Sequence, residues 1–203
     1  MTDSTHARRT GTHFDAIESF ERELGLPAKW YFGLVDGTKE ADWSFVIKVH
    51  ALVESALTHA IDAHVQQSEL KSFVRNLNVG GQFGKLVVAT SFKLVDDAQR
   101  QFVRVLLALR NRCVHDIRSV GLTMEDYFRG LSEGDQRHLL DTFRQHFASE
   151  ELARINLRLG VWLAASIIIA ELYDKRELAA KITRIRPSGA FSGAGFGEVG
   201  FSE

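Results

Sequence analysis

The chain has 203 residues, which is enough for one domain with a substantial core. Its 25 Lys and Arg residues are balanced by 26 Asp and Glu residues, so a globally basic nucleic-acid-binding protein is excluded. Any nucleic-acid contact must come from a local positive patch. One cysteine, Cys113, excludes an intramolecular disulfide framework and suits a reducing, cytoplasmic setting.

Membrane insertion is not expected. The longest apolar run, 159–170, includes Gly160 and Ser166 and is too short to span a bilayer. The polar N-terminus lacks the hydrophobic region of a signal peptide. With two prolines in the whole chain, long uninterrupted helices are favoured, and we expect no membrane partner.

The first half of the chain opens with residues 1–11, which are rich in Thr, Ser and Arg and are predicted to be disordered. A short amphipathic helix is predicted from Phe14 to about Gly25, followed by a packed aromatic connection over 28–38. The first long helix is predicted over 42–65. Its apolar stripe, at spacings of three and four, is Phe45, Val49, Leu52, Ala56, Ala60 and Ala63.

Shorter elements follow, a helix over 69–77 and an apolar element over 83–94. Asp96 or Asp97 is then predicted to cap a helix whose apolar residues lead to the segment 109–116.

Two helices are predicted in the last third of the chain, over 132–147 and 149–185, after a break at 119–123. Thr123 and Ser132 are candidate N-caps there, because a hydroxyl can accept the free backbone N–H groups of a first turn.

No segment shows the alternation of a strand, so the fold class predicted is all-α, an irregular helical bundle. We expect a single domain over 12–186. The Gly-, Ser- and Phe-rich segment 187–203 is predicted to be a flexible tail, or a segment ordered by packing on a neighbour.

The segment 109–116 reads Leu-Arg-Asn-Arg-Cys-Val-His-Asp and carries the most chemistry in the chain. Arg110 has a planar fork of donors that suits a phosphate, and His115 can move a proton near neutral pH. Asn111 and His115 are four residues apart and share a helix face. Arg110 and His115 are separated by about 140° around a helix axis, so they need a helix end or a distortion to converge.

A plainer interpretation of the same segment stays open. Arg110 and Arg112 are then solvated cations of a last helical turn, with His115 as a C-terminal cap. Glu54, at the buried edge of the first long helix, either pairs with an arginine of another helix or reaches solvent.

No cofactor and no metal are expected from the sequence. The glycine-rich segment 80–85 has no preceding strand and lacks the spacing of a P-loop. The spacing of His50, His59 and His64 does not put them on one helix face, so they are not predicted to bind a metal.

Residues 108–116 resemble the signature of the HEPN superfamily, which is an arginine, a polar residue such as asparagine, and a histidine after four to six intervening residues. Here four residues intervene. The wider pattern is similar to the mannitol operon repressor (MltR-like) branch. It comprises the helix around Glu54, the segment 80–86 leading into an apolar helix, and the motif helix from Asp97 to Asp116.

The resemblance implies an all-α bundle that dimerises and sets two arginine and histidine sites across a cleft. It implies a metal-independent ribonuclease of the toxin–antitoxin or defence type. Arg110 would stabilise the charged transition state, and His115 would act as general acid or base or orient the attacking hydroxyl. Asn111 would position the phosphate or His115. Glu54, Arg112 and Asp116 are predicted to support the site. For Glu54 the hypothesis comes from its place at the buried edge of its helix, where it would pair with Arg110 or Arg112.

The same resemblance carries an alternative, because members of the mannitol operon repressor branch are described as transcriptional regulators. In that hypothesis the chain is a non-catalytic regulator or interaction module, its motif helix builds the homodimer interface, and its partner is a protein or a small ligand. The partners considered for the chain are thus a second copy of itself, RNA, and a protein antitoxin or regulatory protein.

Overall fold

The computed structural model describes residues 4–36, 38, 40–65, 67–115, 121, 123–145 and 156–185, apart from the side chains of 4–12 and 144. Asp116 and the predicted tail 187–203 lie outside the described residues.

Within these ranges the structure contains nine α-helices and no strand, which confirms the all-α prediction. The helices, in chain order, are α1 Ser4–Glu23, α2 Trp30–Gly33, α3 Asp42–His64, α4 Ser68–Arg75, α5 Lys85–Ser91, α6 Asp97–His115, α7 Met124–Arg129, α8 Glu133–Arg144 and α9 Leu157–Ile185. In none of the described helices is there a stretch long and apolar enough to cross a membrane.

The two longest helices, α3 and α9, pack against each other along the centre of the bundle. The apolar stripe predicted on α3 is buried from Phe45 to Ala60, because it faces α9 on one side and α6 on the other. α1 covers α9, and the short helices α4 and α5 cover the side of α3 near its C-terminal half.

The predicted aromatic connection packs into this core through Tyr31. The hydroxyl of Tyr31 donates to the carbonyl oxygen of Trp162 at 2.8 Å, and the Trp162 indole donates to the carbonyl oxygen of Tyr31 at 3.0 Å. The two rings stack with centroids 5.4 Å apart. These mutual bonds satisfy the polar atoms of two large buried side chains.

A buried arginine joins the starts of the two central helices. Arg158 Nη1 lies 2.6 Å from Asp42 Oδ1, and its guanidinium also donates to the carbonyl oxygens of Leu34 and Glu40. Asp42 Oδ2 accepts the backbone N–H of Met124 at 2.8 Å. Four segments are therefore held together at the end of the bundle where α3 begins.

Three helices begin where local capping predicts. Asp96 Oδ1 accepts the backbone N–H of Gln99 at 2.8 Å, and Gln99 Oε1 accepts that of Asp96 at 3.1 Å, a reciprocal cap for α6. Thr123 caps α7 and Ser132 caps α8, as predicted.

Some boundaries differ from the prediction. α1 begins at Ser4 rather than at Phe14. α5 occupies Lys85–Ser91 instead of 83–94, because Gly84 is its extended N-cap. The last helix is described from Leu157, so its expected start near Ser149 lies outside the described residues.

Candidate functional site

The motif residues lie in the last turns of α6. The buried face of this helix ends at Leu109, and the following side chains reach the surface. Arg110 is half-buried, whereas Asn111 and His115 are exposed. The Arg110 Nη1 group donates to Asn111 Oδ1 at 3.1 Å. One permanent cation and one amide are thus held together at the end of the helix.

The side chains of Arg110 and His115 project from different sides of α6. The structure assigns α-helix to every residue from Asp97 to His115, without the distortion that convergence would need. Five residues of regular helix separate two side chains by about 140°. A single copy of the chain therefore presents a cation on one side of the helix end and an imidazole on another.

The side chain of Arg112 is directed towards α7. Its guanidinium lies over the ring of Tyr127, 5.3 Å from the ring centroid. Cys113 lies beside it and is half-buried, and burial raises the pKa of its thiol. These two residues line a small surface depression with Tyr127, away from Glu54.

Glu54 has a partner that the sequence did not indicate. Glu54 Oε1 accepts from Lys85 Nζ at 2.8 Å, and the Lys85 side chain is only 5% exposed. The expected partner was an arginine or solvent, so that expectation is corrected to a lysine of α5. The signal that could have found it is a lysine at the start of an otherwise apolar helix, where burial demands a counter-charge.

His50 is a second residue that the sequence analysis did not place near the motif. It lies one helical turn before Glu54, it is 6% exposed, and its Nε2 has no hydrogen-bond partner among the described residues. Burial lowers the pKa of His50. The Glu54 charge opposes that shift, and the charges of Arg110 and Lys85 add to it. The charges of Glu54, Lys85 and Arg110 therefore all act on His50, beside the motif.

The glycine-rich segment forms a tight turn against α6. The N–H groups of Lys85 and Leu86 donate to the carbonyl oxygens of Asn78 and Val79 at 2.8 and 3.1 Å. A Cβ on Gly84 would lie 2.3 Å from the carbonyl oxygen of Gly80, and a Cβ on Gly80 would lie 2.5 Å from a Leu107 methyl carbon. Gly84 cannot be replaced without moving backbone, whereas at Gly80 the neighbour is the end of a side chain. The segment is a turn that brings α5 close to α6.

Between this turn, α5 and α6 runs an open groove of about 630 Å³. Asn111 lines it at the end nearest the motif, and Arg104 lines it two helical turns earlier. We call this feature the α6 groove.

The described residues contain no group of three or more His, Cys, Asp or Glu side chains able to hold a metal ion. Asp116, expected to support the site, lies outside the described residues.

Comparison with protein-family models, with curated proteins and with solved structures finds no match for this chain. The resemblance to the HEPN superfamily therefore depends on the residues quoted above and on their order along the chain.

Proposed function

We propose that this chain is a cytoplasmic, metal-independent endoribonuclease of the toxin or defence type, with an HEPN-like fold and a homodimeric active form. The observation that carries the proposal is the end of α6, where Arg110 donates to Asn111 and His115 is exposed to solvent. A fixed cation, an amide and an imidazole are the side chains that phosphate transfer within RNA needs.

The proposed reaction uses the ribose 2′-hydroxyl as the nucleophile. Its oxygen bonds to the adjacent phosphorus, the bond from phosphorus to the 5′-oxygen breaks, and a 2′,3′-cyclic phosphate and a 5′-hydroxyl result. Arg110 stabilises the extra negative charge on the phosphorane-like transition state. His115 makes one of the two proton transfers, from the 2′-hydroxyl or to the leaving 5′-oxygen, and a water molecule makes the other; Asn111 positions the phosphate.

The homodimer is part of the proposal because of the helix geometry. Arg110 and His115 diverge by about 140° on one copy, so a phosphate held by Arg110 is out of line with the imidazole of the same helix. A second copy related by twofold symmetry brings its own helix end to the first. Arg110 of one protomer and His115 of its partner then face one phosphate.

The buried charges beside the motif support this role for Arg110. Lys85 is paired with Glu54, and His50 next to them is held towards its neutral form by burial. Because Glu54 is already paired with Lys85, it does not neutralise Arg110, and the guanidinium is available to a phosphate.

The test is cleavage of total cellular RNA by the purified protein in EDTA, compared with His115→Ala and with His138→Ala. His138 is an exposed histidine on α8 and serves as the matched control. We expect the wild type and His138→Ala to cleave RNA and His115→Ala to lose at least about a hundredfold in rate.

RNA that stays intact with all three proteins, each shown to be folded by circular dichroism, would contradict the proposal. Equal cleavage by the wild type and His115→Ala would show that the activity comes from another site or from a contaminant.

A further inference from the structure

The α6 groove has the charge of a surface that binds an anion. Arg100 and Arg104 line it from successive turns of α6, and no acidic side chain is among its lining residues. Arg100 forms an ion pair with Asp97, which is 89% exposed, and such surface pairs are weak. For Arg104 no ion pair is present within the described part of the chain, and its side chain is exposed.

The groove also offers apolar and hydrogen-bonding surface between these charges. Leu86, Val87 and Leu107 contribute apolar surface, and Gln82 and Thr90 contribute polar atoms. A cavity with mainly apolar walls, a few polar groups and a size of several hundred Å³ fits one or two nucleobases.

An aromatic ring stands in solvent next to the groove. Phe83 follows the lining residue Gln82 in the glycine turn and is 76% exposed. The turn is joined to α5 by hydrogen bonds from the Lys85 and Leu86 N–H groups to the carbonyl oxygens of Asn78 and Val79. Exposed aromatic rings and arginines on one surface are typical of proteins that bind single strands, since a base can stack on a ring while its phosphate contacts a cation.

We propose that the α6 groove binds a single-stranded stretch of RNA adjoining the scissile phosphate, with Arg104 on its backbone and a base stacked on Phe83. This inference rests on the proposed ribonuclease function and extends it to the class of substrate. Duplex RNA would bind this site less well, because its bases are already paired and stacked and none is free to stack on Phe83. Asn111 links the groove to the motif, because it lines the groove and accepts from Arg110.

Binding is measured by fluorescence anisotropy with a labelled ten-nucleotide RNA, single-stranded or annealed to its complement, in the non-cleaving His115→Ala protein. We expect Arg104→Ala and Phe83→Ala each to raise the Kd for the single strand about tenfold. Arg104→Ala should also reduce the slope of log Kd against log salt by about 0.7.

The matched controls are Arg22→Ala on α1 and Phe73→Ala on α4. Arg22 and Phe73 are exposed and do not line the groove, so both controls should keep the starting Kd. The duplex should bind about tenfold more weakly than the single strand.

Three results would overturn the inference. The first is an unchanged Kd in Arg104→Ala and Phe83→Ala while the wild type still cleaves RNA, which would leave the proposed function standing. The second is equal affinity for duplex and single strand. The third is a change from dimer to monomer in Arg104→Glu, measured by sedimentation, which would assign the groove to a second copy of the chain.

Failure of the proposed function gives a different pattern. Tight binding of the single strand that depends on Arg104 and Phe83, without any cleavage by the wild type, would keep the groove as an RNA site and remove the nuclease activity.

Discussion

His50 is a buried histidine within reach of three charged groups. Glu54 lies one turn further along α3, Lys85 comes from α5, and Arg110 comes from α6. The loss of solvent around the ring outweighs the attraction of Glu54, and the two cations act in the same direction as burial. The folded-state pKa of His50 is therefore below its ordinary value, and the neutral ring is the form that the fold accommodates.

This shift predicts how stability depends on pH. A histidine with a lowered folded-state pKa contributes stability that is present above about pH 6.5, its ordinary pKa, and that is lost as the pH falls through the folded-state pKa. We expect the free energy of unfolding of the wild type to fall more steeply between about pH 7 and pH 5 than that of His50→Leu. Urea unfolding followed by circular dichroism at several pH values measures the difference.

The control for this prediction is His138→Leu on α8, where the side chain is exposed. Its stability should follow the wild-type curve. Parallel curves for the wild type, His50→Leu and His138→Leu would show that His50 is not the group that titrates.

The glycine turn before α5 is the element that sets the distance between α5 and α6. The Lys85 and Leu86 N–H groups close the turn by donating to the carbonyl oxygens of Asn78 and Val79. The Lys85 side chain forms an ion pair with Glu54 of α3. The turn therefore joins three helices, and one wall of the α6 groove depends on it. A change that opens the turn should affect both the stability of the fold and the groove.

The substitution Gly84→Ala is predicted to open the glycine turn before α5. The added Cβ would meet the Gly80 carbonyl oxygen at 2.3 Å, and this neighbour is backbone that cannot rotate away. We expect a loss of about 3 kcal/mol in the free energy of unfolding, the upper range for overpacking, together with weaker RNA binding. Thermal denaturation and the anisotropy assay measure the two effects.

Gly33→Ala in α2 is the matched control, because a Cβ there has no atom within 4 Å. It should be neutral or slightly stabilising. The prediction fails when Gly84→Ala and Gly33→Ala have the same stability.

At the scale of the whole molecule, the bundle leaves the end of α6 accessible. α6 is covered by α3, α5 and α8 along its length, yet Asn111, Arg112, Val114 and His115 are all exposed at its end. A surface with exposed polar side chains and an exposed valine is suited to a second protomer. The proposed dimer assigns Arg110 and His115 of one site to different copies.

Mixing two inactive variants tests that assignment. An Arg110→Ala chain and a His115→Ala chain form a heterodimer with one complete site and one doubly defective site. Random exchange makes half of the dimers heterodimers, so the mixture should recover about a quarter of the wild-type cleavage rate. Single-turnover cleavage after the variants are unfolded and refolded together measures the recovery.

The doubly substituted chain mixed with the wild type serves as the control. It should keep about a quarter of the wild-type rate rather than the half expected from dilution, because neither site of its heterodimer is complete. A mixture of the two single variants that stays inactive, with dimers present by sedimentation, would contradict a site shared between copies.

Local features of this fold could be predicted from the sequence. The stripe on α3, the cap of α6 at Asp96, and the caps at Thr123 and Ser132 follow from contacts between residues three or four apart. Such contacts are set by helix geometry and by the free N–H groups of a first turn, so no knowledge of the rest of the chain is needed. The same reasoning placed Arg110, Asn111 and His115 at the end of a helix.

The tertiary structure alone decided which distant residues meet. Lys85 pairs with Glu54 across 31 positions, His50 joins them, and Arg112 turns to Tyr127 instead. These pairings depend on how α5, α6 and α7 pack on α3, and packing is decided by the summed burial of many side chains rather than by local spacing. The residues of the motif were thus predicted from the sequence. The buried charged residues beside the motif and the α6 groove depend on the packing of the helices, so only the tertiary structure identified them.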